Sequence, residues 1–163
     1  MPNNPEKILV VYASRHGATE SCAKRIHAAL GENAVLHNLA DAVKVSIQEY
    51  DFVILGGSIH AGTIQKKVRQ FLRQQFIAMM QKKVALFLCC MEEGDKAAEQ
   101  FKKAFPEPLI KKAVAIGLLG GVFDFEKMNM FESFLVKKIA KVDKSVSKLS
   151  EENLQRFIEE IKN

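Results

Sequence analysis

The chain of 163 residues contains no tryptophan, two tyrosines and only three cysteines. Cys89 and Cys90 are adjacent and Cys22 is far from both, so their spacing suits neither a disulfide framework nor a metal site. No stretch approaches the roughly 18 apolar residues that span a bilayer, and the polar first residues do not resemble a secretory signal. These absences exclude a disulfide-rich secreted domain and predict a cytoplasmic protein with no bound metal.

The chain instead alternates short apolar runs with segments of helical periodicity. The runs are too short for helices and predict five strands, at 8–13, 34–39, 52–55, 84–89 and 113–119. We expect Gly56 and Gly57 to end the third strand, Ile64 to begin the apolar face of the next helix, and Ser150 to cap the last helix. Such alternation is typical of an α/β domain whose parallel sheet is covered on both faces.

Three polar or glycine-containing loops, 14–19, 58–63 and 89–94, follow predicted strands at the edge where parallel sheets bind ligands. The first loop offers the hydroxyls of Ser14 and Thr19, the small Gly17 and the free N–H groups of the next helix. This combination suits a phosphate group. A plain helix N-cap without any ligand is the alternative interpretation.

Two common phosphate-binding motifs are missing from the first loop. No Gly-Lys-Ser/Thr follows its glycine, and the pattern G-x-G-x-x-G does not occur there. A nucleoside triphosphate and a dinucleotide are therefore not the leading ligands. Neither a Ser-His-Asp arrangement nor a cluster of metal ligands emerges elsewhere in the sequence.

The run SRHGAT at 14–19, directly after a strand, resembles the phosphate loop of flavodoxins, Ser/Thr-x-Thr-Gly-x-Thr. The segment EYDFVILGGSIHAGTI at 49–64 resembles the third strand and the first flavin-contacting loop of that family. The resemblance implies one flavodoxin-like α/β domain over residues 1–163, with a doubly wound five-stranded parallel sheet in the order 2-1-3-4-5.

Within this superfamily the chain is similar to the menaquinone-dependent protoporphyrinogen IX dehydrogenases. Their Gly-x-Ser-Ile-x-x-Gly loop is matched at 56–62, and their long segment after the fifth strand is matched at 117–142. The resemblance therefore implies a helical insertion after strand five, at about 120–148.

The resemblance to flavodoxins also implies FMN as the cofactor. Its phosphate is expected on Ser14, Gly17 and Thr19, and on the backbone amides of Arg15, His16 and Ala18. The isoalloxazine ring is expected between the second and third loops, whose contacting residues would be Ser58, Ile59, His60, Ala61, Gly62, Cys89, Cys90, Met91 and Gly94.

The sequence departs from electron-carrier flavodoxins in two places. Carriers usually enclose the ring with Trp or Tyr, but this chain has no Trp, and Tyr12 and Tyr50 lie outside the three loops. Arg15 and His16 stand where carriers often have Thr. The redox potentials of carriers are therefore not transferable, and the ring contacts would come from Ile59, His60, Cys90 and Met91.

His60 and the paired cysteines are the candidate redox residues. His60 could donate a hydrogen bond to the flavin, or a proton during two-electron chemistry; the alternative is a loop residue that faces solvent. Cys89 and Cys90 end a strand at the expected site, where a redox role competes with the role of small buried hydrophobic residues.

A basic amphipathic helix is predicted within the insertion, at about 131–148. Its apolar stripe is Phe131, Phe134, Leu135, Ile139 and Val142, and lysines at 137, 138, 141, 144 and 148 lie mostly off it. It could contact an anionic membrane surface, where a quinone is met, or attract an acidic redox partner or the carboxylates of a porphyrin. Simple packing of the stripe, with solvated lysines, is the alternative. Nucleic-acid binding is not expected, because no exposed aromatics are interleaved with the lysines.

Two functions from different classes remain open at this point. The first is an FMN-dependent oxidoreductase that resembles protoporphyrinogen IX dehydrogenase and passes electrons from a reduced substrate to a quinone. The alternative is a flavodoxin-type carrier that exchanges electrons with protein partners, although the net charge of +5 is unlike the usual acidic carrier. A domain that has lost flavin binding and serves as an interaction module is a third interpretation.

Overall fold

The first strand lies between two other strands of a parallel sheet, and all five of its residues are buried in this computed structural model. The structure describes residues 4–14, 17–120, 122–123, 146–147 and 150–163. The strands of the main sheet are β1 (Ile8–Tyr12), β2 (Ala34–Asn38), β3 (Phe52–His60), β4 (Thr63–Ile64), β5 (Lys83–Cys89) and β6 (Ile116–Leu118). Five of them are parallel in the order β2-β1-β3-β5-β6, which confirms the predicted order 2-1-3-4-5.

Helices cover both faces of this sheet, as predicted. They are α1 (Ala18–Leu30), α2 (Lys66–Met79), α3 (Gly94–Ala104), α4 (Glu107–Lys112) and α5 (Glu151–Lys162). Successive residues of β1 point to opposite faces. Val10 therefore packs in the cluster that α1 and α5 build with Ile26 and Phe157, while Leu9 packs with Phe71 of α2 in the cluster beneath α2, α3 and α4.

Gly56 and Gly57 do not end the third strand, contrary to the sequence-based expectation. β3 continues through both glycines to His60. A Cβ atom on Gly56 would lie 1.9 Å from Cζ of Phe87, and one on Gly57 would lie 2.8 Å from Cδ1 of Ile64. These glycines are therefore required by close packing inside a strand, not by a turn.

The chain reverses after His60, where a two-residue turn joins β3 to the short antiparallel strand β4. Ala61 and Gly62 both have positive φ, 50° and 81°, as a type I′ hairpin turn requires. Ile64 therefore belongs to β4, and the helix expected to begin its apolar face there starts at Lys66. The segment 58–63 is thus the end of a hairpin instead of an open loop.

The end of the chain departs further from expectation. The fifth parallel strand is only three residues long, and the sequence did not reveal α4, which precedes it. Ser150 does cap the last helix, because its hydroxyl accepts the N–H of Asn153 at 3.1 Å. The pattern at 107–112 was missed because a helix of six residues is too short to show helical periodicity.

Most of the predicted insertion lies outside the described residues. Two short strands, β7 (Val122–Phe123) and β8 (Val146–Ser147), pair antiparallel there. The predicted basic helix is therefore wrong at 146–147, where the backbone is extended, and the remainder of 131–145 and Lys148 lie outside the described residues. Within the described part of the chain, no helix combines the length and apolar character needed to cross a bilayer.

Tyr12, the last residue of β1, is expected to make the stability of the fold depend on pH. The side chain is 3% exposed, and burial, together with the charges of Glu20 and Asp41, raises its pKa from 10.0 to about 12. The buried phenol is held neutral more strongly in the fold than in the unfolded chain. The stability that the neutral phenol contributes is therefore fully present at pH values below the pKa of the unfolded chain. It is lost as the pH rises through the pKa of the folded protein, because the phenol must then ionise inside the fold.

We expect the free energy of unfolding to fall by roughly 2 kcal/mol more in the wild type than in the Tyr12→Phe variant as the pH rises from about 9 to about 12. Urea unfolding across this range measures the difference. Subtraction of the variant's profile removes the contribution of every other titrating group, because the two proteins share them. Parallel pH profiles of the two proteins would contradict the burial of this hydroxyl as the cause.

Candidate functional site

The loop that follows β1 is built around a left-handed glycine. Gly17 is the N-cap of α1 with φ 88°, and its N–H donates to the hydroxyl of Ser14 at 3.1 Å. In the described residues no side chain caps α1, so its first-turn N–H groups are available to another acceptor. Uncapped amides at the positive end of a helix dipole attract anions.

Thr19 lies deeper than the rest of this loop. The residue is buried, with 1% of its surface exposed. Ser14 is half-buried, Ala18 begins α1, and Arg15 and His16 lie outside the described residues.

Gln65, which sequence reasoning missed, ties the first loop to the hairpin. Its Nε2 donates to the carbonyl oxygen of Ala13 at 2.8 Å and to the hydroxyl of Ser58 at 2.6 Å. Its Oε1 accepts the backbone N–H of Ser58 at 2.7 Å. Nε2 of His60 lies 3.0 Å from the same Ser58 hydroxyl. One amide side chain thus fixes the ends of two neighbouring strands, and no motif in the sequence marked it.

A cavity of about 370 Å³ opens between the first loop, the hairpin and the start of α2. It lies beside β1 and β3, where the strand order of the sheet reverses, which is the usual position of ligands in doubly wound sheets. Among its polar side chains are three cations of α2. The lining residues are Ala13, Ser14, Ala40, His60, Thr63, Ile64, Gln65, Lys66, Lys67 and Arg69.

The third loop starts beside the hairpin, because Ser58 of β3 is in register with Cys89 of β5. It lies on the opposite side of β3 from the cavity, and none of its residues lines the cavity. Met91 is half-buried and Gly94, with φ 58°, begins α3. The hairpin therefore has a basic cavity on the side of β1 and α2, and the loop at 89–94 on the side of β5.

The adjacent cysteines point into different cores. The thiol of Cys89 lies 3.9 Å from that of Cys22 on the α1 side of the sheet, whereas Cys90 packs on the α2 side. The hydrogen bond with Cys22 and burial raise the pKa of Cys89, and burial raises the pKa of Cys90. Burial and a raised pKa both disfavour the reactive thiolate form of these cysteines.

The structure thus brings most of the predicted site residues to one edge of the sheet. Ser14 and His60 line the same cavity, and Ile59 is half-buried beside His60 at the end of β3. Ala61 and Gly62 form the exposed turn of the hairpin. Three of the predicted site residues, Thr19, Cys89 and Cys90, are buried there.

These features define a doubly wound α/β domain with an anion-attracting loop at the point where its strand order reverses. The family model described as a flavodoxin domain matches residues 9–150, and the chain belongs to that family. A comparison with curated protein sequences finds no relative.

Solved structures with similar folds include several flavoproteins. Oxidised flavodoxin 2 from Bacillus cereus is 25% identical, with 83% of this chain and 99% of that chain covered and a TM-score of 0.50. A flavoprotein in complex with FMN from Lactobacillus acidophilus NCFM is 16% identical, with 71% and 93% covered and a TM-score of 0.53. A flavodoxin from the domain Archaea is 16% identical, with 82% and 92% covered and a TM-score of 0.51.

Proposed function

We propose that this protein binds FMN without a covalent link and transfers electrons through it. Membership of the flavodoxin domain family supports this proposal, as does the FMN bound by the similar flavoprotein from Lactobacillus acidophilus NCFM. The observation that carries it is the first loop, where Gly17 in a left-handed conformation leaves the first turn of α1 without a side-chain cap.

The residues present fit a flavin mononucleotide. A single phosphate needs one cluster of N–H donors, and the first turn of α1 provides one. The adjoining cavity adds the positive charges of Lys66, Lys67 and Arg69 to the field at that loop. The mouth of the cavity is thus suited to an anionic ligand.

Each group of residues has a distinct task in this proposal. Ser14, Gly17 and Thr19, with the loop amides, would hold the phosphate, and the hairpin with the loop at 89–94 would flank the ring. FMN supplies reversible electron transfer when it is bound. Gln65 and Ser58 orient His60, whose Nε2 can hold or release a proton at the Ser58 hydroxyl.

Two versions of this function differ in the partner. An oxidoreductase similar to protoporphyrinogen IX dehydrogenase, with a quinone as acceptor, is favoured by the hairpin sequence at 56–62 and by the net charge of +5. A carrier that serves protein partners is favoured by the similar fold of two proteins named as flavodoxins. Both versions require FMN.

The visible spectrum of the purified protein, followed by titration of FMN into the apoprotein, tests the shared part. A yellow protein, or quenching of FMN fluorescence on mixing, is expected; a colourless protein that leaves FMN fluorescence unchanged would overturn the proposal. Anaerobic oxidation of protoporphyrinogen with a menaquinone analogue then separates the versions, because only the oxidoreductase turns over.

A further inference from the structure

The solvent face of α2 carries positive charge along its length and no negative charge. Positions 66, 70, 73 and 77 share one stripe of the helix, since they are spaced by three or four residues. Seven side chains on or beside this stripe are exposed, and the apolar Ile77 is 80% exposed. The face consists of Lys66, Lys67, Arg69, Gln70, Arg73, Gln74 and Ile77.

The other four helices in the described part of the chain balance their cations with acids. Each carries one ion pair at i, i+4 spacing, with nitrogen–oxygen separations between 3.0 and 3.4 Å: Glu20–Lys24, Glu99–Lys103, Glu107–Lys111 and Glu152–Arg156. No such pair can form on α2, because the sequence contains neither Asp nor Glu between Asp51 and Glu92. Its four cations make no ion pair within the described part of the chain.

The first turn of α2 also carries charge of the sign that destabilises the start of a helix. Every other helix that the structure describes has an acidic residue in its first turn, where it interacts favourably with the positive end of the helix dipole. α2 has none, and places Lys66 and Lys67 there instead. The cations therefore destabilise this helix end, which indicates a role outside folding.

The positive face begins at the proposed cofactor site. Lys66, Lys67 and Arg69 line the cavity that also contains Ser14 and His60, and Arg73 and Ile77 continue the face away from it. A partner that lies along α2 would thus reach the edge of the cavity.

We propose that the exposed face of α2 is the docking surface for an acidic redox protein. The electron exchange rests on the proposed function, whereas the docking depends only on α2. From Lys66 to Ile77 the stripe runs about 16 Å, which exceeds the reach of one small anion. An exposed apolar side chain among amides and cations is typical of a protein interface with a charged rim.

The same face fits other anionic surfaces less well. A helix that lies on a membrane inserts an apolar face, but the apolar side of α2 is buried in the core through Val68, Phe71 and Leu72. Nucleic acid is favoured by exposed aromatics among the cations, and the exposed face of α2 has none.

The test measures the affinity for an acidic plant-type [2Fe–2S] ferredoxin as a probe, by calorimetry at about 50 mM and about 500 mM salt. Binding is expected at low salt and should weaken at least about tenfold at high salt. Arg73→Glu lies outside the cavity lining, and it should weaken binding about tenfold at low salt. Lys24→Glu is the matched control on the opposite side of the sheet, and it should change affinity less than about twofold.

Several results would overturn the docking surface: no binding of the ferredoxin, equal effects of Arg73→Glu and Lys24→Glu, or an Arg73-dependent affinity for citrate, duplex DNA or phosphatidylserine vesicles in place of the ferredoxin. FMN titration of the same preparations keeps the two proposals apart. Failure to bind FMN overturns the proposed function and leaves the ferredoxin measurement valid, while intact FMN binding without ferredoxin binding overturns only the docking surface.

Discussion

Replacement of Gly17 by valine is expected to weaken FMN binding by about 100-fold. Gly17 has φ 88°, a conformation that a β-branched residue adopts only with strain. The chain would relax by turning the first N–H groups of α1 away from the phosphate. Loss of two hydrogen bonds to a charged group, at roughly 1.5 kcal/mol each, corresponds to this change in Kd. Titration of the apoprotein with FMN, followed by fluorescence quenching, measures it.

Gly31→Val provides the matched control at the other end of the same helix. Gly31 has φ 81°, and an added Cβ atom would meet nothing within 4 Å. The substitution introduces backbone strain at least as large, because ψ −156° places Gly31 in a region that essentially only glycine adopts, but it acts far from the first loop, so FMN affinity should change little. If both variants lose FMN to the same degree, the effect comes from destabilised α1, and the phosphate assignment is wrong.

Gly56→Ala is expected to destabilise the fold by about 3 kcal/mol, the upper end of the usual cost of overpacking. The new Cβ atom would lie 1.9 Å from Cζ and 2.2 Å from Cε1 of Phe87. The Phe87 ring cannot easily move aside, because it is fully buried and packs edge-on against Phe157 with centroids 5.8 Å apart. Chemical denaturation measures the loss as a lower midpoint.

The double variant Gly56→Ala/Phe87→Leu tests the cause. A smaller residue at 87 makes room for the added methyl group, so the double variant should be more stable than the sum of the single effects predicts, by at least about 1 kcal/mol. Additive losses would show that Phe87 is not what excludes a side chain at position 56.

The sequence was sufficient to predict the strands of the sheet and the first loop, because both leave strong local patterns, whereas the strand order followed from the resemblance to flavodoxins. β1 is an unbroken apolar run, as a central strand buried on both faces must be. The hydroxyls and glycine that follow it have few roles other than capping a helix or holding an anion. In the structure Gly17 is left-handed and no described side chain caps α1, while the anion itself stays a prediction.

The errors at the second loop arose from non-local packing. The sequence predicts a strand end at Gly56 and Gly57, since paired glycines commonly mark turns. Their real constraint comes from Phe87 and Ile64, which lie elsewhere in the sequence and touch them only in the folded sheet. The actual turn, at Ala61 and Gly62, was hidden because alanine is an unusual residue at φ 50°.

Gln65 could not be found from the sequence for a related reason. A glutamine at the start of a helix is ordinary, and its partners at Ala13 and Ser58 become neighbours only when β1 and β3 pair. The side chain carries three of the contacts that shape the cavity, but no spacing rule records them.

The bonds of Gln65 also bear on how a ligand would be received. They fix the carbonyl of Ala13 against the hairpin, so the two walls of the cavity are held in place before anything binds. A pocket that is already ordered gives up little conformational entropy on association. Little movement of the hairpin against β1 is therefore expected when a ligand enters the cavity.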